Sequence, residues 1–261
     1  MSLFISSVFT YDEDAGNYIQ AVEAADAQAL EPATRKAINN FVIGCKQDGI
    51  WTAIKASCIL SGARTLAGAL VPLVGTAPTP FNFVDANYNR KTGLMGDGST
   101  KYLNSNRNNN ADPQNSQHLS VYVTEQSSPT GSINNPYLGT NWGLPGSSVV
   151  GRSGTTARLM YAEMRYGTAF LITAASATTG FFGASISSSS TFSVRYSGTP
   201  ASQSSTSVTP RNENINVFRN GGGSVYSANR LVFYSIGESL DLALLDARVT
   251  ELITAFAVTI P

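Results

Sequence analysis

Charge is what this sequence has least of. Lys, Arg, Asp and Glu make up 13% of its 261 residues, about half of the ~25% usual for soluble domains. Seventeen basic and seventeen acidic residues cancel, so nothing here attracts a phosphate backbone or an anionic membrane surface. No nucleic-acid partner is expected. Histidine occurs once, as His118, which excludes a His-rich zinc site by count. Cysteine occurs twice, as Cys45 and Cys58. Two thiols make no disulfide framework, and their spacing is not that of a metal-ligand pair. Both read as small apolar core residues of a chain that folds in a reducing cytosol. No apolar run approaches the ~20 residues of a membrane span, so no membrane insertion is expected. The opening MSLFISSVFTYDED lacks a basic n-region, and its apolar run is too short for a secretory signal.

What stands in place of charge is Gly, Ser, Thr and Asn, with hydrophobic residues at 42%. That composition suits a β-rich protein with many turns, either one large domain with an appendage or two small ones. Residues 14 to about 60 read as helix. In NYIQAVEAADAQAL, Tyr18, Ile19, Val22 and Ala25 follow the 3.6 period, and Asp14 can cap the start. Pro32 suits the first turn of a second helix, ATRKAINNFVIGCKQDG, with Ile38, Phe41, Val42 and Cys45 on one face and Gly49 as its stop. IWTAIKASCIL adds a third apolar piece. These one-sidedly apolar segments must pack on one another, on the rest of the chain or on a partner.

From about residue 76 the texture changes to short alternating pieces between Gly/Ser/Asn clusters. HLSVYVT puts Leu119, Val121 and Val123 on one face. LMYAEMRY sets Met160, Ala162, Met164 and Tyr166 opposite Leu159, Tyr161, Glu163 and Arg165. AFLITAA, GFFGASI, TFSVRYS, NINVFRN and RLVFYSIG complete the series. Many short strands with turn signals predict an antiparallel sandwich or barrel. The serine-rich tracts SISSSSTF and ASQSSTSVTP read as loops and exposed strand faces. ESLDLALLDARVTELITAF closes the chain as a helix capped by Ser239 or Asp241, with Leu242, Leu245, Val249, Leu252, Ile253 and Phe256 as its stripe.

GDGSTKYL, with Gly96, Asp97, Gly98 and Tyr102, precedes HLSVYVT, and RLVFYSIGESL leads into a helix carrying Ser239, Leu240, Asp246, Val249 and Leu252. This order resembles the laminin-G-like jelly rolls of the concanavalin A-like superfamily over residues 76–257. The resemblance implies a mainly β, antiparallel jelly-roll β-sandwich with an N-terminal helical segment and a C-terminal helix. The Asn-rich run after Tyr102 then serves to connect two strands. The stretches AINNFVIGCKQDGIWTAIKASCIL, GALVPLVGTAP, YNRKTGLMGDGSTKYLNSN and YSIGESLDLALLDARV are also similar to uncharacterised virion proteins of tailed bacteriophages. That second resemblance implies a virion component: residues 1–75 as a helical docking and assembly region, 76–261 as the sandwich. Other virion proteins and further copies of the chain are its expected partners, since virion parts repeat by symmetry.

Chemistry is sparse. His118 heads a strand, and its strand position explains it without a triad. Glycanases of the concanavalin A-like group typically show E-x-D-x-x-E on one strand, and no such run appears here; Glu163 stands without a second carboxylate. GRSGTTARL lacks the P-loop spacing. YDEDAGNYIQAVE hints at an EF-hand through Asp12, Asp14 and Glu23, but Gly16 and Asn17 occupy the wrong positions, and a capped helix start explains the acids better. Asp97, Asn104 and Asn106 offer oxygen ligands without a clear pair of acids.

Sugar binding uses ring faces that stack on pyranoses and amides that fix hydroxyls. NNPYLGTNWGLPG presents Tyr137, Asn141 and Trp142, with a core role for either aromatic as the alternative. Tyr161, Glu163 and Arg165 form a second candidate trio, whose alternative is a polar outer face with a Glu–Arg pair of small worth. The expectation is a non-enzymatic virion protein without cofactor or metal. It is either a tail- or fibre-associated adhesin that binds host-surface polysaccharide, or an architectural protein that binds only other virion proteins.

Overall fold

The computed structural model describes residues 10–126, 135–152, 159–165, 170–173, 179–222 and 225–260. The first nine residues, Tyr166, most of the GRSGTTARL turn and the ends of AFLITAA lie outside them. The helices are α1 (Glu13–Asp26), α2 (Pro32–Gln47), α3 (Leu66–Ala69) and α4 (Leu242–Thr259). The strands run β1 (Ile54–Ile59), β2 (Thr79–Phe81), β3 (Tyr88–Asn89), β4 (Gly93–Met95), β5 (Tyr102–Asn108), β6 (Gln117–Glu125), β7 (Asn135–Gly139) and β8 (Ser148–Arg152). They continue with β9 (Leu159–Met164), β10 (Phe170–Thr173), β11 (Gly180–Ile186), β12 (Thr191–Tyr196), β13 (Thr199–Ser204), β14 (Asn214–Val217) and β15 (Arg230–Gly237).

All pairings are antiparallel and form two sheets. The first has the order β13-β12-β11-β6-β15-β4-β3, with β1 also paired to β15; the second has the order β10-β9-β8-β7-β14-β5-β2. Alternation decides which side chains lie between the sheets. Leu119, Val121 and Val123 of β6, Met160, Ala162 and Met164 of β9, and Ile215 and Val217 of β14 meet there in one apolar cluster. The expected sandwich with helices at both ends is therefore the fold.

A second apolar cluster lies on the other face of the first sheet. Phe181 and Phe233 of that face pack against Tyr18, Ile19 and Val22 of α1, Phe41 and Val42 of α2, and Leu245, Val249 and Phe256 of α4. Gly183 lets α4 come close, since a Cβ there would stand 3.0 Å from Leu242. The molecule thus has three layers: helices, first sheet, second sheet. Of the covers expected for the apolar helix faces, the ones found are the other helices and the first sheet, so these faces supply no reason for self-association. Ala25 is the exception to the α1 stripe, being exposed while Asp26 is buried.

Local chemistry explains the helix ends. Asp12, rather than Asp14, caps α1, accepting from the Asp14 amide at 3.1 Å. Asp12 and Asp14 both hold Lys46, at 2.7 and 2.6 Å, and Glu23 holds Arg35 at 2.6 Å. The acids that hinted at a calcium loop are therefore divided between two cations, Lys46 and Arg35. Pro32 opens α2, and Gly49 follows it at φ +73°, a conformation that glycine adopts without strain. Asp241 caps α4.

Two further sequence expectations change. IWTAIKASCIL is not helical beyond one tight turn at Trp51–Ala53; it continues as β1, paired to β15. Its apolar run is buried on both faces, with Ala56 and Cys58 in the inter-sheet cluster and Ile54 and Ile59 in the helix-side cluster. Such a run carries no period that separates strand from helix. The Asn-rich run is likewise no mere connection, because β5 extends through Asn108. Both cysteines are buried and unpaired, and burial pushes each thiol up to about 12.

Candidate functional site

The helix layer covers one face of the first sheet, whereas no helix among the described residues covers the outer face of the second sheet. The loop between β7 and β8, residues 140–147, stands at that face. It is pinned at several points. The Thr140 amide donates to the Ser148 carbonyl at 2.9 Å, and the Ser148 amide donates back to the Thr140 hydroxyl at 3.1 Å. The Asn141 amide donates to Glu213 at 3.4 Å, and the Gly143 amide to Glu163 at 3.0 Å. The Gly146 carbonyl accepts from the Arg211 amide at 3.1 Å and from Asn109 at 2.9 Å. Gly146 sits at φ +80°, and a Cβ there would come within 2.1 Å of the Thr209 carbonyl.

At the tip of this loop Trp142 is 40% exposed, next to Leu144 at 36%. Asn141 is half-buried and lies against Gly222. A large ring held at the surface by a braced turn can stack on a flat apolar face of a ligand, and the neighbouring amide can exchange hydrogen bonds with its hydroxyls.

The other sequence candidates are placed differently. Tyr137 is on β7, not on the loop, and is fully buried in the inter-sheet core. Its ring packs against Phe182 at 5.5 Å, and its hydroxyl accepts from Gln126 at 2.9 Å. Tyr161, Glu163 and Arg165 are all fully buried, so none makes an exposed polar face or a direct ligand contact. Glu163 and Arg165 do not pair. Glu163 takes the Gly143 amide, and burial pushes its carboxyl up to about 7 against the hydrogen bonds from Gly143 and Ser147. Arg165, at φ +58°, donates instead to the carbonyls of Asn109 and Asp112. Burial lowers its pKa to about 10, Asp112 opposing and Arg107 reinforcing the shift.

His118 is enclosed rather than catalytic in placement. Its Nδ1 lies 2.6 Å from the Glu238 carbonyl and its Nε2 2.7 Å from the Ser235 hydroxyl, under the helix layer. Both side chains are fully buried, which leaves no approach for a substrate. Asp97 is equally occupied. Burial acts to raise its pKa, but the hydroxyl and amide of Thr100 and the amides of Lys101 and Ser99 outweigh that and hold it well below the usual range. It braces its own turn and does not converge with Asn104 or Asn106, whose amides serve the β2–β5 edge.

Glu213 was not singled out in the sequence. It receives Asn141 and Arg211, and Gly221 is packed on it so closely that a Cβ would be 1.9 Å from its carboxylate. The signal that could have found it is the rarity of acids: Glu213 is the only carboxylate between Glu163 and Glu238.

No family model matches the chain, and no curated protein matches it. Among solved structures it is similar to Trypanosoma rangeli sialidase in complex with 2-keto-3-deoxy-D-glycero-D-galacto-2,3-difluoro-nononic acid. The TM-score is 0.52 at 14% identity, over 78% of this chain and 33% of that one. It is also similar to the botulinum neurotoxin serotype D binding domain, with TM-score 0.52 at 10% identity over 76% of this chain and 50% of that one. The mouse laminin alpha1 chain gives 0.41 at 11% identity, over 66% and 47%. The chain spans between a third and a half of the length of these structures. The first two likenesses show a shared β-sandwich fold.

Proposed function

We propose that this chain is a non-enzymatic, glycan-binding β-sandwich, and that the loop bearing Trp142 is where a sugar ring docks. One observation carries the reading: an exposed tryptophan stands on a turn braced from below by two carboxylates, Glu163 and Glu213. Bracing lowers the entropy lost when a ligand orders a loop. Two of the similar structures, a sialidase with a sugar-acid ligand and a neurotoxin binding domain, are a fold-level analogy for this use. On the strength of the phage resemblance in residues 37–60, 68–78, 88–106 and 234–249, its setting is a tailed-phage particle, where it serves as a tail- or fibre-associated adhesin for host-surface polysaccharide.

The test is binding of purified protein to polysaccharides from candidate host envelopes. Saturable binding that Trp142→Ala weakens at least ten-fold, with unchanged thermal unfolding, supports the reading. A folded protein that ignores all envelope polysaccharides but attaches to phage particles replaces it with a purely architectural role. Reproducible release of reducing sugar, abolished by Glu163→Gln, overturns the non-enzymatic part.

A further inference from the structure

A second feature of the same outer face is independent of the Trp142 loop. On β5 the alternation turns Leu103 and Ser105 inward and leaves Tyr102 and Asn104 outward; on β14 Ile215 and Val217 point inward and Asn214 outward. The register aligns Thr79 with Asn104 and Phe81 with Tyr102. Asn214 donates to the Asn104 side-chain oxygen at 3.2 Å, which also accepts the Asn106 amide at 2.9 Å. A strip of amides and a hydroxyl therefore runs along this face.

At one end of the strip is an aromatic and cationic stack. The Phe81 and Tyr102 rings are parallel within 3° at 4.2 Å. The Arg219 guanidinium lies 4.0 Å from the same Tyr102 ring and 5.6 Å from Tyr226. One ring face cannot hold both neighbours at such distances, so Phe81 and Arg219 occupy opposite faces of Tyr102. Arg219 is fixed further by bonds from Nε to the Asn220 carbonyl at 3.1 Å and from Nη2 to Gly221 at 2.7 Å. Among the described residues it has no carboxylate within ion-pair distance, although nearly every other surface arginine here has one. Phe81 is 37% exposed, next to Val84 at 57%.

A guanidinium immobilised over a ring, with no carboxylate at ion-pair distance among the described residues, is a preorganised receptor for a planar anion. An exposed ring and an amide strip beside it suit a hydroxyl-rich, partly apolar ligand. We propose that the outer face of β2, β5 and β14 binds an acidic glycan, with a sugar ring on Phe81 and a carboxylate on Arg219. This deepens the glycan reading above, on which it rests for the class of ligand, and it adds the charge of that ligand.

The experiment compares polygalacturonate with the same polymer after methyl esterification, which removes the charge and keeps the backbone. Wild-type protein is expected to bind the acid form at least ten-fold tighter, with an advantage that shrinks as salt rises. Arg219→Gln should abolish the preference, and Phe81→Ala should weaken both forms. Should Arg219→Gln fail to fold, Asn104→Asp gives the same information. It keeps the acceptor oxygen that Asn106 and Asn214 use, and it adds a repelling charge on the strip. Equal binding of the two polymers overturns the inference and leaves the Trp142 reading intact. Binding that Trp142→Ala removes but Arg219→Gln and Asn104→Asp do not touch also overturns it. Failure of both polymers overturns it as well, while the Trp142 reading is judged by its own envelope-polysaccharide assay.

Discussion

The Glu163 carboxylate lies beneath the Trp142 turn and accepts the Gly143 amide with both oxygens, at 3.0 and 3.3 Å. A strand residue of the second sheet thus sets the height of the loop that presents the tryptophan. Glu163→Gln keeps an acceptor in place, and its glycan affinity should stay within about two-fold of wild type. Glu163→Leu removes the brace and should cost roughly 1–3 kcal/mol of stability, the range for leaving a donor such as the Gly143 amide without its partner. Calorimetry and urea unfolding read the two effects separately.

The same carboxyl gives a pH dependence of known sign. Its pKa rises from 4.5 to about 7 because it is buried, so the folded state holds the proton more tightly than the unfolded state. Its contribution is complete below 4.5 and is lost as pH rises through 7, by about 3 kcal/mol in all. Glu163→Gln should therefore gain on wild type between pH 5 and pH 8 in urea unfolding. No gain would mean that Glu163 is not held in this environment.

His118 works in the opposite direction. Burial lowers its pKa from 6.5 to about 4, so the unfolded state takes up the proton first as pH falls. Stability should decline from pH 6.5 toward 4, again by about 3 kcal/mol. Between pH 4.5 and 6.5 the two slopes oppose each other, and wild type should look nearly flat. Measuring His118→Gln across that window should unmask the falling slope that belongs to Glu163.

Tyr137 tests core against contact. Tyr137→Ala should cost about 3–5 kcal/mol, as large-to-small core substitutions of aromatics do, and Tyr137→Phe about 1 kcal/mol through the lost Gln126 bond. Neither should alter glycan affinity at temperatures where the variant is folded. A selective loss of affinity in Tyr137→Phe would return this residue to the binding site.

Arg248 bridges α4 to the end of α2, where its guanidinium meets Asp48 at 2.7 Å and crosses Gly44. A Cβ on Gly44 would stand 2.7 Å from that side chain. Gly44→Ala should therefore destabilise, even though alanine favours helix by about 1 kcal/mol over glycine. Thermal unfolding of Gly44→Ala and of the Gly44→Ala/Arg248→Ala pair checks this, because removing Arg248 should restore the helix gain.

Much of the sandwich was legible because strands with one buried face write a period of two, as Leu119, Val121 and Val123 do. The helices were legible through Pro32, Gly49 and their apolar stripes. β1 was not, since a strand buried on both faces has no alternation to read, and its partner lies far along the chain. Of the site, Trp142 and Asn141 were visible as aromatic and amide between glycines. Tyr161 and Glu163 do share β9, but Arg165 lies just past its end, at φ +58°. Their burial was not visible, because Glu163 meets the 140–147 loop and Arg165 the 109–112 segment, and neither lies on their own strand. The Phe81–Tyr102–Arg219 stack joins three distant segments, and only the Tyr-x-Asn-x-Asn alternation of β5 announced an outward polar face.

The pairing of β1 with β15 sets a timetable for synthesis. The Ser57 hydroxyl donates to the Tyr234 carbonyl across 177 residues of chain, and β15 lies between β6 on one side and β1 with β4 on the other. On a ribosome adding about 5–20 residues per second, β1 waits roughly 10–35 s for the strand that completes it. For that interval Ile54, Ile59 and the apolar sides of α1 and α2 lack the sheet and helix that later cover them. Nascent chains should therefore depend on chaperones more than the finished fold would suggest, and slowing translation should lower the soluble yield.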